Sequence, residues 1–197
     1  ICLSLVGWVY AIGSCLPLGQ NSLLKRAMEE GGFTRGVSKL GEKFYIICGY
    51  GETSHLLVYS LNNRGFRTVV IDNDSDRIEE LSMSDIPQSV PSVVADAANS
   101  KILIYAGLFN DKCVGVVALT DSDHVNLKIA ITCRLLKKTV SVICRAEALD
   151  TEANMRSFRT DYIVNPFESF ASRLAMALHS PSSYLINQWL TGDPGTS

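Results

Sequence analysis

The stretch "YIICGYGETSHLL", residues 45–57, predicts a buried strand, a glycine turn and the start of a helix in immediate succession. Its core, G-Y-G-E-T-S, approaches the pattern G-x-G-x-x-G, whose glycines make the turn, admit a phosphate and let the helix pack closely. Gly49 and Gly51 supply the first two, and Ser54 puts a small side chain in place of the third. We therefore expect slightly looser helix packing and a phosphate site at the helix N-terminus.

Three side chains of this loop bear on its affinity for a phosphate. The hydroxyl groups of Thr53 and Ser54 offer additional donors, whereas the carboxylate of Glu52 repels a negatively charged ligand. The loop therefore predicts phosphate binding, but not very tight binding.

An acid at the end of the second predicted strand supports a nucleotide ligand. Asp72 lies about 20 residues after Gly51, the spacing at which a carboxylate holds ribose hydroxyls. Asp74 follows closely, and two acids would repel a 2′-phosphate, which favours NAD or a simple adenosine nucleotide over NADP. The alternative is an Asp-Asn-Asp turn that merely caps a helix through Asp74 or Ser75.

From residue 44 onward, short apolar runs alternate with helical patterns. Continuous apolar runs are typical of parallel strands that are covered on both faces, and short connections imply right-handed crossovers. The predicted fold is α/β, a Rossmann-like doubly wound parallel sheet of about six strands preceded by an N-terminal helix. We predict strands at 44–48, 67–72, 92–95, 114–119, 140–144 and 161–164.

Further polar residues follow the later strands and should meet outside the carboxyl ends of the sheet, where open α/β sheets bind ligands. Asp96 follows the third strand, Thr120 and Asp121 follow the fourth, and Arg145 follows the fifth. Arg145 is the strong cation of this group, so it could reach a phosphate or pair with an acid across the crevice. Each of these residues, taken alone, could instead be a cap or turn residue.

The N-terminal region has a different character from the rest of the chain. Residues 1–20 are mostly apolar and uncharged, and a basic segment begins at Lys25. This pattern suits the inner end of a truncated transmembrane helix, with an amphipathic or buried helix as the alternative. The predicted organisation is a membrane helix at 1–20, a cytoplasmic linker at 21–43, a nucleotide-binding domain at 44–165, crossover and dimerisation helices at 166–190 and a linker to a further domain at 191–197.

Charge and cysteine usage exclude other classes of function. The net charge of −2 gives no electrostatic basis for nucleic-acid binding. No two of the six cysteines form a C-x-x-C pair and no histidine pattern accompanies them, so we expect neither a metal site nor disulfides. Cys48, Cys133 and Cys144 lie inside apolar runs and are predicted to be core residues.

In combination, these motifs resemble the RCK family, also called the TrkA-N or KTN domain. The resemblance covers residues 44 to about 180. It rests on the glycine loop, the acid after the second strand, D-A after the third, T-D-x-D-x-x-N after the fourth and C-R-A after the fifth. The family often has glycine before the D-A pair, where this chain has Ala95.

The resemblance implies a nucleotide ligand that acts as a signal. Members are cytoplasmic regulatory domains of prokaryotic potassium channels and transporters, and they bind NAD(H), AMP, ADP or ATP. By position, the glycine loop would hold phosphate and Asp72 would hold ribose. Asp96 would lie near the adenosine and Arg145 near the phosphates or the nicotinamide. The predicted ligand-binding residues are Gly49, Tyr50, Gly51, Glu52, Thr53, Ser54, Asp72, Asn73, Asp96, Ala97, Thr120, Asp121 and Arg145.

The resemblance also implies an assembly. Members form homodimers through the sheet edge and through a helix after the sixth strand that crosses between partners, and the segment "FESFASRLAMALHS" fits this helix. In channels, such dimers build a ring below the membrane pore domain, which the N-terminal helix would reach here. The implied location is the cytoplasmic face of the cell membrane. No T-V-G-Y-G selectivity filter is present in the sequence.

The predicted function is a nucleotide-sensing domain, without catalytic residues, that gates a cation channel, with potassium as the expected ion. Two alternatives stay open. An NAD-dependent oxidoreductase would need a proton donor beside the nicotinamide, for which His124 is the candidate histidine. A pure assembly module would carry a vestigial nucleotide site.

Overall fold

The computed structural model describes residues 31–180, 182, 183, 185 and 186. The predicted membrane helix at 1–20 and the linker at 191–197 lie outside the described residues. Within the described ranges, no helix combines the length and the apolar character that a membrane crossing requires.

Strands and helices alternate along the described chain from residue 44 onward. Every predicted strand is confirmed, with ends that differ from the prediction by a residue at most. The strands are β1 Phe44–Cys48, β2 Arg67–Asp72, β3 Ser92–Val94, β4 Cys113–Ala118, β5 Ser141–Arg145 and β6 Tyr162–Val164. The helices are α1 31–38, α2 Glu52–Asn63, α3 Ser75–Met83, α4 Ser100–Tyr105, α5 Asp123–Leu136, α6 Leu149–Ser157 and α7 Pro166–His179.

The strands form one parallel sheet in the order β3-β2-β1-β4-β5-β6. The chain therefore winds outward from the centre twice, first from β1 to β3 and then from β4 to β6. This arrangement confirms the Rossmann-like doubly wound fold. Because β1 and β4 are neighbours whose following connections diverge, a crevice opens at their carboxyl ends.

Alternate side chains of the central strand enter two separate cores, which explains its uninterrupted apolar sequence. Ile46 and Cys48 pack in the larger core, and Ile47 packs in the smaller one on the opposite face. All three residues are fully buried. Helices thus cover both faces of the sheet, as parallel strands require.

Helix α1 packs on the domain, although it lies inside the segment that we assigned to a linker. Phe33, Val37 and Leu40 are buried in the larger core. Gly107, at φ +86°, makes this close packing possible, since a Cβ there would lie 2.9 Å from Val37 Cγ1 and 3.0 Å from the ring of Phe44. The last part of the predicted linker is therefore anchored to the core.

The described cysteines are buried free thiols. Cys48, Cys133 and Cys144 are core residues, as predicted, and Cys113 joins them. Burial raises the pKa of the Cys113 thiol to about 11 and the pKa values of the Cys133 and Cys144 thiols to about 12. These thiols are protonated at neutral pH and serve as small apolar side chains.

Helix α7 begins at the predicted proline and has no buried residue. The Asn165 side chain accepts hydrogen bonds from the backbone N–H groups of Phe167 and Glu168, at 3.0 and 3.3 Å, and so caps the helix. The helix nevertheless exposes a row of large apolar side chains. The row consists of Phe167, Phe170, Leu174 and Leu178, which are 64%, 64%, 48% and 85% exposed.

Candidate functional site

The loops that follow β1 and β4 are in backbone contact at the crevice. Gly49 has φ +93°, and a Cβ on it would lie 2.8 Å from the backbone nitrogen of Thr120. A larger residue would meet both a strained conformation and the neighbouring loop. The first glycine of the motif is therefore required by the fold itself, before any ligand is considered.

The N-terminus of α2 is open to an anion. Gly51 is its N-cap residue, with φ −104° and ψ −171°, and no side chain caps the helix. The first-turn N–H groups therefore keep free donor capacity beside the positive end of the helix dipole. Thr53 is exposed, whereas Ser54 is buried in the packing of α2, so Ser54 fills the place of the missing glycine.

Asp72 fastens the glycine loop, residues 49–54, to the end of β2. Its Oδ2 accepts a hydrogen bond from the backbone N–H of Tyr50 at 2.5 Å, and its Oδ1 accepts one from Asp74 N–H at 2.8 Å. The residue is 3% exposed. Each carboxylate oxygen can accept a second hydrogen bond, which leaves capacity for a ribose hydroxyl.

The predicted alternative for this turn is present as well. The Asp74 side chain accepts a hydrogen bond from Asp76 N–H and caps α3. The two acids therefore have separate roles, because Asp74 starts a helix while Asp72 faces the crevice.

A cavity of about 80 Å³ gathers residues from both halves of the sheet. Its wall includes the Asp96 loop, where the Asp96 carboxylate accepts a hydrogen bond from Ala98 N–H at 2.8 Å. Seven lining residues flank the ends of β1, β2, β3 and β4, with Ile71 and Val125 supplying apolar wall. Those seven are Gly49, Asp72, Asn73, Ala95, Asp96, Ala97 and Thr120.

A larger, polar cavity of about 270 Å³ adjoins the other side of the glycine loop. Tyr50 contributes its hydroxyl, which lies 2.8 Å from His55 Nδ1, and its burial raises the pKa of the phenol. Our sequence reasoning missed three residues of this wall: His55, Arg77 and Glu80. His55 could have been predicted from the sequence, because it lies one helical turn from Gly51.

Asn126 joins the loops after β4 and β5, a role that the sequence prediction did not assign. This fully buried side chain accepts hydrogen bonds from the N–H and hydroxyl of Thr120 at 3.0 and 2.7 Å. It donates hydrogen bonds to the carbonyl oxygens of Thr120 and Arg145 at 3.0 and 3.1 Å. All the hydrogen-bonding capacity of the amide is used to fix the crevice wall.

Asp123 performs a similar task nearby. One of its oxygens accepts hydrogen bonds from the backbone N–H groups of Glu147 and Ala148, at 2.9 and 2.8 Å. The final D and N of the T-D-x-D-x-x-N motif are thus residues that hold the loop after β5 in place.

Charged side chains cross the mouth of the crevice. Asp121 Oδ2 lies 3.2 Å from Arg77 Nη2, and Asp121 Oδ1 lies 3.7 Å from Arg145 Nη1. The hydrogen bond to Asp121 raises the pKa of the Arg77 guanidinium above its ordinary value. Arg145 also pairs with Glu147. The crevice therefore contains two guanidinium groups, one on each side.

The histidine that the sequence offers as a proton donor does not line either of these two cavities. His124 is exposed in the first turn of α5. Among the residues described, no group of three or more His, Cys, Asp or Glu side chains is placed to hold a metal ion.

Two sequence relatives are archaeal. The chain is 26% identical over 137 residues to an uncharacterised protein of Methanothermus fervidus, with 70% of this chain and 21% of the relative covered. It is 27% identical over 123 residues to potassium channel protein 1 of Methanocaldococcus jannaschii, with 62% and 36% covered. The chain spans well under half the length of these relatives.

Solved structures share the fold. The TrkA-N domain of the inner membrane protein ybaL from Escherichia coli matches with a TM-score of 0.61 and 22% identity, over 70% of this chain and 97% of that one. The GsuK channel bound to NAD matches with a TM-score of 0.58 and 20% identity, over 75% of this chain and 25% of that one. The AMP-bound Kef CTD of Shewanella denitrificans matches with a TM-score of 0.57 and 20% identity, over 74% of this chain and 87% of that one.

The family model described as the TrkA-N domain matches residues 45–166, more than half of the chain. This range contains the glycine loop, the acid that ends β2 and the charged side chains Arg77, Asp121 and Arg145 at the mouth of the crevice. The resemblance predicted from the sequence is confirmed, and the chain belongs to the TrkA-N family.

Proposed function

We propose that the crevice binds an adenine nucleotide and that the chain acts as the ligand-sensing part of a potassium transport protein. The observation that carries this proposal is the buried carboxylate of Asp72 beside the uncapped N-terminus of α2. A carboxylate suits ribose hydroxyls, and free N–H groups at a helix start suit phosphate. One ligand that carries both groups is a nucleotide.

The surroundings of Asp72 support adenosine over a 2′-phosphorylated ribose. Asp72 in the crevice and Asp74 at its edge would both repel a 2′-phosphate, and Arg77, 3.8 and 3.7 Å from them, offsets only part of their charge. The small cavity beyond them has apolar wall from Ile71 and Val125, which suits a base. NAD(H), AMP, ADP and ATP all fit this requirement, and solved structures of the same fold are described as bound to NAD, ADP or AMP.

The build of the crevice supports a regulatory role. Its walls are fixed by backbone contacts and by Asn126, and its polar side chains suit ligand binding. A ligand regulates when it binds one arrangement of a protein more tightly than another. The relative named potassium channel protein 1 indicates which activity such a ligand would control.

The second arrangement that regulation needs is supplied, in this proposal, by a homodimer. Helix α7 exposes its apolar row, and an isolated helix of this length is marginal in water. Packing against the same helix of a second copy would bury that row. Movement between paired domains would reach the N-terminal segment through α1, which is anchored by Phe33 and Val37.

Titration calorimetry with NAD⁺, NADH, AMP and ATP tests the proposal. We expect at least one of them to bind with a micromolar to submillimolar Kd. Asp72→Ala should weaken that binding by about tenfold or more, because a buried carboxylate contributes hydrogen bonds to the ribose. Circular dichroism must show that the variant keeps its fold.

Three outcomes separate the proposal from its rivals. No binding of any of these nucleotides at millimolar concentration would favour the assembly module with a vestigial site. Unchanged affinity in Asp72→Ala would remove this residue from the site. Turnover of a hydroxy acid with NAD⁺ would favour an oxidoreductase.

A further inference from the structure

Asp121 differs from the other polar residues around the β4 loop in what its side chain contacts. Thr120 bonds with Asn126, and Asp123 accepts hydrogen bonds from backbone N–H groups. Asp121 instead points its two oxygens at guanidinium groups on opposite sides of the crevice. Its side chain is 71% exposed, so it is not fixed by packing.

One of these guanidinium groups, that of Arg77, lies over the glycine loop. Arg77 Nη1 is 3.9 Å from the place that a Cβ on Gly51 would occupy, nearer than any other atom outside Gly51 and its two chain neighbours. The same nitrogen lies 3.8 Å from Asp72 Oδ2. Arg77 is therefore positioned where a ligand lying on the loop would carry its phosphates.

The other guanidinium group comes from the opposite half of the sheet. Arg145 ends β5, and its carbonyl oxygen is held by Asn126. Asp121 therefore joins two cations that flank the opening between β1 and β4. Carboxylate and phosphate oxygens bind guanidinium groups in the same way, and phosphates carry the larger charge.

We propose that Asp121 is an internal competitor for the ligand's phosphates: its carboxylate occupies Arg77 and Arg145 in the unliganded crevice and gives them up when a diphosphate enters. This inference rests on the proposed function and adds the residue that sets its affinity. Exposed ion pairs are weak, so a ligand can displace this one without disrupting the fold. The release also frees the β4 loop from α3.

Inorganic pyrophosphate is the probe, because it carries the phosphates without the ribose or the base. Calorimetry at low salt should show that Asp121→Asn binds pyrophosphate about 3- to 10-fold more tightly than the unmodified chain. Asp76→Asn is the matched control. It removes one exposed acid beside Arg77, but Asp76 contacts Ser75 Oγ at 3.3 Å and, within the described part of the chain, no guanidinium group. The control should change affinity by less than about twofold.

A double-mutant cycle tests whether the gain in pyrophosphate affinity depends on Arg77. In the Arg77→Gln background, Asp121→Asn should increase affinity by clearly less than in the unmodified chain, since one of the competed cations is gone. The inference is overturned if Asp121→Asn binds pyrophosphate no more tightly than the unmodified chain. An equal gain in Asp76→Asn, or no pyrophosphate binding by Asp121→Asn at about 10 mM, would overturn it too.

The same variants separate this inference from the proposed function. Nucleotide binding by the unmodified chain with no effect of Asp121→Asn on nucleotide or pyrophosphate would keep the function and reject the competitor. Tighter pyrophosphate binding in Asp121→Asn without any nucleotide binding would support the competitor and reject the nucleotide as ligand.

Discussion

At the scale of single residues, the crevice depends on positions that serve the fold and the ligand together. Gly49 lets two loops touch, and Asp72 holds one of those loops while it keeps acceptor capacity. Both residues could be predicted from the sequence, because each lies at the end of a predicted strand. Sequence reasoning missed Arg77, because that side chain reaches the crevice from α3 through contacts across the sheet edge.

The substitution Gly49→Ala should lower the free energy of unfolding by about 4 kcal/mol, since it combines a positive φ with a backbone clash. Gly65→Ala is the matched control. Gly65 has φ +82°, but no atom lies within 4 Å of its Cβ position. Its cost should be about 1–2 kcal/mol, and urea unfolding measures both. Equal costs would show that the β1–β4 contact is not tight.

Glu52→Gln should strengthen nucleotide binding about two- to fivefold at low salt, because it removes a negative charge from the first turn of α2. The gain should disappear at about 0.5 M salt, where exposed charges are screened. Glu42→Gln removes an exposed charge just before β1, at the other end of the sheet, and should leave binding unchanged. Tighter binding in both variants would point to net charge instead of position.

At the scale of elements, the strands could be predicted from the sequence, but the hydrogen bonds that join the loops could not. The apolar runs that form β1, β2, β4 and β5 are uninterrupted because helices cover both faces, so their positions could be read directly. Asn126 was visible as part of a motif, but its four hydrogen bonds join segments that fold together only in three dimensions.

Asn126→Ala should lower the free energy of unfolding by about 3 kcal/mol, because it leaves several part-buried polar groups of Thr120 and Arg145 without the partners they have in Asn126. Asn63→Ala serves as the control, since Asn63 is exposed at the end of α2. It should cost less than about 0.5 kcal/mol in the same urea unfolding measurement. A similar small cost for Asn126→Ala would mean that the loops hold their positions without it.

At the scale of the whole molecule, the described chain is a complete six-stranded sheet with one helix left uncovered. The fold class and the α7 helix were predictable, because strand and helix patterns alternate and Pro166 follows the capping residue Asn165. The packing of α1 on the core was not, because its buried residues are few and are separated by glycine and polar residues. Its contacts with Gly107 and Phe44 depend on the assembled sheet.

Phe170→Asp should convert a dimer into a monomer in sedimentation velocity, because it places a charge in the apolar row of α7. Ser172→Asp is the matched control. At 3.6 residues per turn, Ser172 lies on the side of the helix opposite this row, and the dimer should persist. A monomer in the unmodified chain, or loss of the dimer in both variants, would contradict pairing through the apolar row.

A crystal structure of the chain with ADP tests the central claim most directly. The account predicts ribose hydroxyls within hydrogen-bond distance of the Asp72 carboxylate and phosphate oxygens at the N–H groups that begin α2. It also predicts that Asp121 no longer contacts Arg77. ADP bound away from the β1–β4 crevice, or a crevice that stays empty both with ADP and with every nucleotide that binds in calorimetry, would contradict the account.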